Sequence, residues 1–409
     1  MPEQLQLSFI SFKQGSYIII EGKRRADRFF IIKQGQVLLS KEVNIVEEDK
    51  LLKEGDFFGV VSTMSSHSHI ETARAAGDVV LISVMKEQYD QLIKNNSPIA
   101  MKIILEFSKR MRYLDEALTK FTLKNNIEDR ASQIYDVGEY YIRQGQYSLA
   151  FYAYYRYMKH NPQGTNVASA REKMLKLAPH AKNVKLERDS SGFNQTFSKN
   201  TMIFAEGEPG QELFIIQSGS VKIVKIANNQ EVLLAVLKTG DIFGEMALLE
   251  SRPRAACAIA FEDTTLMVVN RQNFETMVLA QPQLVARLTT LLSERIWFIY
   301  KQLANTKIID PLGRLYNMLL IQMEKERIPL NEHRAYSFSF GPRELLNMVG
   351  LTKTEGPALF KKMTQNGRIQ ISDFNMNVSD VIEIVKQAEF YHKMDKIEQA
   401  RRETGRVHL

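Results

Sequence analysis

The residues best placed to do chemistry stand in one run, Phe243-Gly244-Glu245-Met246-Ala247-Leu248-Leu249-Glu250-Ser251-Arg252-Pro253-Arg254-Ala255-Ala256. Gly244 allows close backbone approach. A helical turn through Met246–Leu249 presents free N–H groups that suit an anion. Arg254 offers a charge-assisted contact, about 1.5–3 kcal/mol for one bond to a charged group, and Glu245 is an acceptor suited to a hydroxyl. That is recognition chemistry rather than turnover. The chain shows no nucleophile–base pair, metal triad or phosphate loop, and Gly207-Glu208-Pro209-Gly210 lacks the lysine of a nucleoside-triphosphate loop. Catalytic residues, a metal site and a resident cofactor are therefore not expected. A plain surface ion pair between Glu245 and Arg254 is the competing reading. It would contribute only about 0–1 kcal/mol and would need none of the glycine, alanine and proline around it.

The elements that must position this run occur twice. Glu21-Gly22, Phe29-Phe30-Ile31-Ile32-Lys33-Gln34-Gly35 and Gly55-Asp56-Phe57-Phe58-Gly59 are echoed by Glu206-Gly207, Leu213-Phe214-Ile215-Ile216-Gln217-Ser218-Gly219 and Gly240-Asp241-Ile242-Phe243-Gly244. The offset is 185 residues at both ends, with a one-residue slip between. Short apolar runs broken by glycine predict a compact antiparallel roll in each copy. Helical periodicity follows each roll, over Ser97–Leu123 and Gln283–Leu303. Each helix either packs on its own roll or pairs with the other helix or a second chain.

The run Gly244–Ala256 closely resembles the phosphate-binding cassette of the cyclic-nucleotide-binding domain family, found in protein kinase regulatory subunits and bacterial catabolite activator proteins. The resemblance extends over Ser198–Phe274 and the following helix. It implies a site in which Gly244 lies beside the sugar and Glu245 takes the ribose 2′-hydroxyl. Met246, Ala247, Arg254, Ala255 and Ala256 surround the phosphate. Leu234, with Ile223, Leu233 and Val236, lies against the base, and Trp297 or Tyr300 caps it. Ala255 and Cys257 stand where serine or threonine is common in relatives, which favours cAMP over cGMP as the regulatory ligand. In the first copy Val60 stands for Glu245 and His69 for Arg254. That roll is expected not to bind a cyclic nucleotide in the usual manner.

Between the copies, Val137-Gly138, Tyr141, Gly145, Tyr147, Ala150, Tyr154 and Pro162 have the spacing of one tetratricopeptide helical hairpin. It would serve as a rigid spacer or as a surface for a protein partner. Near the end, Glu344-Leu345, Met348-Val349-Gly350-Leu351 and Thr352 resemble the helix-turn-helix of Crp/Fnr regulators. The family's recognition-helix Arg-Glu pair, and the arginine about a turn later, are missing, since Lys353, Thr354 and Ala358 stand in those places. Gly356-Pro357 either interrupts the helix or shifts its start. Lys353, Thr354, Lys361 and Arg368 are the DNA-contact candidates, with Lys362 beside them; the alternative is a domain kept for packing or partner contacts.

The expected fold is α+β: two antiparallel β-rolls, jelly-roll-like, with following helices, a helical-hairpin insert and a C-terminal winged-helix-like domain. The expected divisions are 1–128, 129–182, 183–305 and 306–409. The expected function is a ligand-gated transcription regulator, the alternative being a nucleotide-responsive adaptor that signals to proteins. A net charge of +7 is compatible with nucleic acid. The single cysteine, Cys257, excludes an intrachain disulfide. A polar start and no run of about 18 apolar residues predict a cytoplasmic chain without a membrane span. Two rolls and two helices per chain allow an internal pseudo-dimer in place of a homodimer.

Overall fold

The computed structural model describes all residues except 1–6, 24–25, 42–48, 124–131, 182–183, 185, 187–193, 228–229, 353, 366, 373–374 and 406–409. The first roll runs β1 (Ser8–Phe12), β2 (Tyr17–Ile19), β3 (Arg28–Gln34), β4 (Val37–Ser40), β5 (Lys50–Leu52), β6 (Phe57–Phe58), α1 (Val60–Ser65), β7 (Thr72–Ala75) and β8 (Val79–Met85). Helices α2 (Tyr89–Asn95) and α3 (Ser97–Leu123) follow. Three helices come next, α4 (Gln133–Arg143), α5 (Tyr147–His160) and α6 (Val167–Leu177). The second roll runs β9 (Asn194–Phe197), β10 (Met202–Phe204), β11 (Glu212–Ser218), β12 (Ser220–Ala227), β13 (Gln230–Lys238), β14 (Ile242–Phe243), α7 (Glu245–Glu250), β15 (Cys257–Ala260) and β16 (Thr264–Asn270). Helices α8 (Arg271–Ala280) and α9 (Pro282–Asn305) follow it.

The repeat read from the sequence is a repeat of topology. Strand orders β1-β8-β3-β6 and β2-β7-β4-β5 in the first roll recur as β9-β16-β11-β14 and β10-β15-β12-β13 in the second. Equivalent aromatics meet in each core. Phe30 pairs with Phe58 across β3 and β6, ring centroids 5.4 Å apart, and Phe214 with Phe243 across β11 and β14 at 5.2 Å. Gly35 and Gly219 take φ of +89° and +82°, and a Cβ on either would lie within 2.5 Å of a backbone carbonyl. Both clash and backbone conformation demand glycine there.

The last segment comprises α10 (Pro311–Lys325), β17 (Tyr336–Phe338), α11 (Pro342–Val349), α12 (Gly356–Thr364), β18 (Ile369–Ile371), β19 (Met376–Val378) and α13 (Val381–Gly405). Its sheet is ordered β17-β19-β18. Asp310 caps α10, accepting from Leu312 N at 2.7 Å. Gly350 ends α11 in the left-handed region, and Pro357 lies in the first turn of α12. A proline there removes no helical hydrogen bond, so Gly356-Pro357 sets the helix start and does not break it. The core beneath is Leu315, Leu319, Leu345, Val349, Met363, Ile369 and Ile384.

The chain divides into two compact units. One comprises Met1–Gln88, Tyr113–Lys124 and Ser293–Leu409, hence the first roll and the C-terminal segment. The other comprises Tyr89–Arg112 and Asn125–Leu292, hence the second roll and the three-helix insert. This departs from the sequential divisions 1–128, 129–182, 183–305 and 306–409. Both α3 and α9 are shared between the units, because an amphipathic helix joins whatever surface covers its apolar face, and chain order does not determine that. The insert has three helices where a hairpin was expected. Tyr141, Tyr154 and Tyr157 share one core with Met202, Val224, Cys257 and Ile259 of the second roll, so the insert completes its burial against that roll.

Candidate functional site

The site builds from Gly244, whose φ of +78° turns the chain from β14 into α7. A Cβ at Gly244 would come within 2.8 Å of Arg254 Nη1 and 3.1 Å of the Phe214 ring. Glycine is what allows the arginine to lie against the start of the helix. Met246, Ala247, Leu248 and Leu249 are buried and seat α7 in the roll. Glu245 is also buried, at 2% exposure.

Arg254 is the hub. Its Nη1 donates to the Glu212 and Gly244 carbonyls, each at 2.7 Å, and its Nη2 to Glu212 Oε2 at 3.2 Å. The guanidinium lies 4.3 Å from the Phe204 ring centroid, an energetically favourable cation–π position. Its backbone is tied on both sides: Arg254 N donates to Glu208 O at 2.8 Å, and Gly207 N to Arg254 O at 2.9 Å. The carboxylate paired with Arg254 is Glu212, which sequence reasoning missed, since it stands 42 residues away at the head of a strand. Ala255 and Ala256 continue into β15 in the same unit. Leu234, the extra residue of β13 where its register with β12 shifts between Ile223 and Val224, is 45% exposed, and Leu233 and Val236 near it are also exposed. The cassette and the apolar strand thus belong to one unit.

Trp297 does not. It lies in the unit of the first roll, 1% exposed, and stacks on His67 with centroids 3.9 Å apart and planes at 15°. Tyr300, the second cap candidate, donates to Glu21 Oε1 at 2.8 Å in that same unit. The expected cap of the second-roll base by Trp297 is therefore corrected: α9 delivers its aromatics to the first roll. What reaches the second-roll cassette is α3. Ser108 Oγ donates to Glu250 Oε1 at 2.7 Å, Arg112 Nε to Glu250 Oε2 at 2.7 Å, and Arg112 Nη1 to Pro253 O at 3.3 Å.

In the first roll, Gly59 N donates to the buried Glu71 carboxylate at 3.0 Å. His69 stands where the arginine stands in the second, and burial holds its pKa below the ordinary imidazole value. A neutral ring there supplies no permanent positive charge for a phosphate.

Glu206, at the edge of the cassette turn, is fully buried. Gln133 Nε2 donates to its Oε1 at 2.7 Å, and Lys225 Nζ is 3.6 Å away. Burial, only partly offset by Lys225, pushes its pKa up to about 7. An acid with a raised folded-state pKa keeps its proton in the native state after the unfolded chain has lost it. Stability is therefore expected to fall as pH rises from about 4.5 to about 7, and Glu206→Gln should flatten that slope in thermal unfolding scans. An unchanged slope would assign the pH dependence to other groups.

Of the C-terminal candidates, Lys361 and Lys362 are exposed on α12, and Thr354 Oγ1 lies 2.9 Å from Thr352 Oγ1. Lys353 lies outside the described residues. Arg368 forms an ion pair with the buried Glu383 carboxylate of α13.

The model of the cyclic nucleotide-binding domain family matches residues 9–96 and 194–281, one match per roll. The "CRP-like cAMP-activated global transcriptional regulator" of Mycobacterium tuberculosis is 24% identical over 193 residues, 47% of this chain and 86% of that protein. The "Cyclic AMP receptor protein" of Thermus thermophilus is 26% identical over 179 residues, 44% of this chain and 80% of that protein. The "cAMP-activated global transcriptional regulator CRP" of Pasteurella multocida is 30% identical over 158 residues, 38% of this chain and 75% of that protein. No helix among the described residues is long and apolar enough to cross a membrane. A doubled roll, a cassette built around Arg254 and this kinship together make the chain a member of the Crp/Fnr family of cyclic-nucleotide-binding regulators, with two cyclic-nucleotide-binding domains.

Proposed function

We propose that the second roll binds cAMP and that the chain is a cAMP-gated transcription regulator whose first roll is silent. The observation that carries this reading is the position of Arg254, with Nη1 on the Glu212 and Gly244 carbonyls and Nη2 on Glu212 Oε2. A phosphate at the start of α7 competes with those acceptors for the same donors. Glu245 takes the ribose hydroxyl, and Leu234 with its exposed neighbours supplies an apolar wall for the base. The small Ala255 and the buried Cys257 favour adenine over guanine.

Ligand capture moves groups bonded to Arg254 and its neighbour Pro253, and α9 leads through the short turn 306–310 into α10 and the C-terminal segment. That supplies a route for a population shift in the DNA-binding state. Lys361 and Lys362, with Lys353 and Thr354, would meet DNA phosphates. α9 places Trp297 and Tyr300 on the first roll and α3 places Ser108 and Arg112 on the second, so each roll is gripped by the helix that follows the other.

A second reading, an adaptor that signals through the helical insert, is favoured by one observation. Arg156 of α5 grips Glu208, whose carbonyl accepts from Arg254 N. Calorimetric titration with cAMP and cGMP tests the first step, and saturation near one site per chain with cAMP the stronger ligand is expected. A mobility-shift assay with and without cAMP separates the two readings. Ligand-dependent, salt-sensitive shifting supports the regulator, and its absence in the presence of bound cAMP leaves the adaptor.

A further inference from the structure

Helix α13 has two apolar faces, and the fold covers one of them. Val381, Ile384 and Ala388 are buried in the core of the C-terminal segment. Further along the same face, Tyr391 stacks on Tyr316 with ring centroids 6.0 Å apart, and the buried Asp395 accepts from Ile309 N at 2.9 Å. Steps of three and four residues keep these side chains on one side of the helix. On the other side stand Phe390, Met394 and Ile397, exposed at 53%, 50% and 49%. They too are spaced by four and three residues, and they lie within about two turns of helix.

The long helices α3 and α9 offer a second chain little apolar surface. Phe107 and Met111 of α3 and Leu292 and Ile296 of α9 are all buried. The outer stripe of α13 has instead the alternation of a coiled-coil seam, with Phe390 and Ile397 at one seam position and Met394 at the other. Lys393 then falls on one flank of the seam and Glu398 on the opposite flank, and both are exposed. In a parallel two-stranded pair, such a flanking residue meets the one five positions later on the other helix. Lys393 therefore meets the partner subunit's Glu398, and twofold symmetry makes the ion pair twice. An antiparallel pair sets Lys393 against alanine and Arg401 against phenylalanine, so the charges of α13 select the parallel arrangement of two identical helices.

We propose that the outer face of α13 is a self-association surface: a second copy of this chain docks its own α13 there as a parallel twofold pair, with Phe390, Met394 and Ile397 at the seam and Lys393 on the partner subunit's Glu398. This goes beyond the cAMP reading and does not rest on it. Three apolar side chains per copy fall short of the roughly 1,200 Å2 that a stable interface buries, so the pair forms in a concentration-dependent way. It carries two C-terminal segments related by a twofold axis, the arrangement that a DNA site of two inverted half-sites requires.

Sedimentation velocity of the full chain over a concentration series tests the pairing. Dimer is expected to accumulate with concentration in the wild type and to be lost in Met394→Glu, which buries a charge at the seam. Lys393→Glu and Glu398→Lys each set two like-charged pairs across the twofold axis, and each alone should weaken the dimer at least about tenfold. Both positions are exposed, so neither change disturbs the fold. Mixed in equal amounts, the two charge variants regain both ion pairs, and a mixed dimer of wild-type affinity is expected. A wild type that stays monomeric up to about 1 mM, a dimer that survives Met394→Glu, single charge variants that pair as tightly as the wild type, or a mixture no tighter than its two components overturns the assignment.

Discussion

Arg254→Ala is expected to lower cAMP affinity at least about a hundredfold. Two charge-assisted bonds to phosphate, each about 1.5–3 kcal/mol, set that scale, with about 1.4 kcal/mol for each factor of ten. The side chain is 1% exposed and held by Glu212 and Gly244, so the cation is already oriented before ligand arrives. Little ordering entropy is then lost on binding, which makes removal more costly than at a mobile surface arginine. Arg254→Lys should fall between, because a single ammonium keeps the charge but cannot span two acceptors in the planar fork that Arg254 uses. Calorimetric titration of the three proteins with cAMP reads the effect directly. Affinity unchanged in Arg254→Ala would place the anion elsewhere and remove the cassette from the mechanism.

The second large effect is one of stability. Arg156 Nε lies 2.8 Å from Glu208 Oε1, and the Glu208 side chain is wholly buried. Its other oxygen accepts from Ala205 N at 3.0 Å and Tyr152 Oη at 3.2 Å. Removing one partner of such a pair strands a buried charge, at a cost of about 3–5 kcal/mol. Arg156→Ala is therefore expected to lower the melting temperature of the unit holding the second roll by about 10 °C, taking about 2–4 °C per kcal/mol at this size. Adding Glu208→Gln should recover part of the loss, since a neutral amide oxygen can still accept from Ala205 and Tyr152. Because Glu208 O also holds Arg254 N, cAMP affinity should drop in the single variant. Thermal unfolding without a shift would mean that the insert is not tied to the cassette turn in this way.

How much of this was legible in advance differs by element. The doubled roll was, because glycines at turns and paired apolar runs are local demands: Gly35 and Gly219 face the same carbonyl clash, and Phe58 and Phe243 the same stacked partner. The cassette was legible too, since Gly244, Glu245 and Arg254 lie within one short run and their spacing is enforced by one turn and one short helix. Pro357 was ambiguous, as a proline near a helix start and a proline within it look alike until the start is known.

The long-range pairings were not legible. Arg112 and Arg156 look like ordinary polar residues on amphipathic helices, yet both end on buried carboxylates, Glu250 at a separation of 138 residues and Glu208 at 52. Trp297 was expected over the second roll because its helix follows that roll, and it stacks on the first instead. Sequence alone determined the rolls and their order, both set by hydrogen bonding and sterics among near neighbours. Tertiary structure alone decided which helix closes on which roll and which charges are buried together, because periodicity marks an apolar face without naming the surface that will cover it.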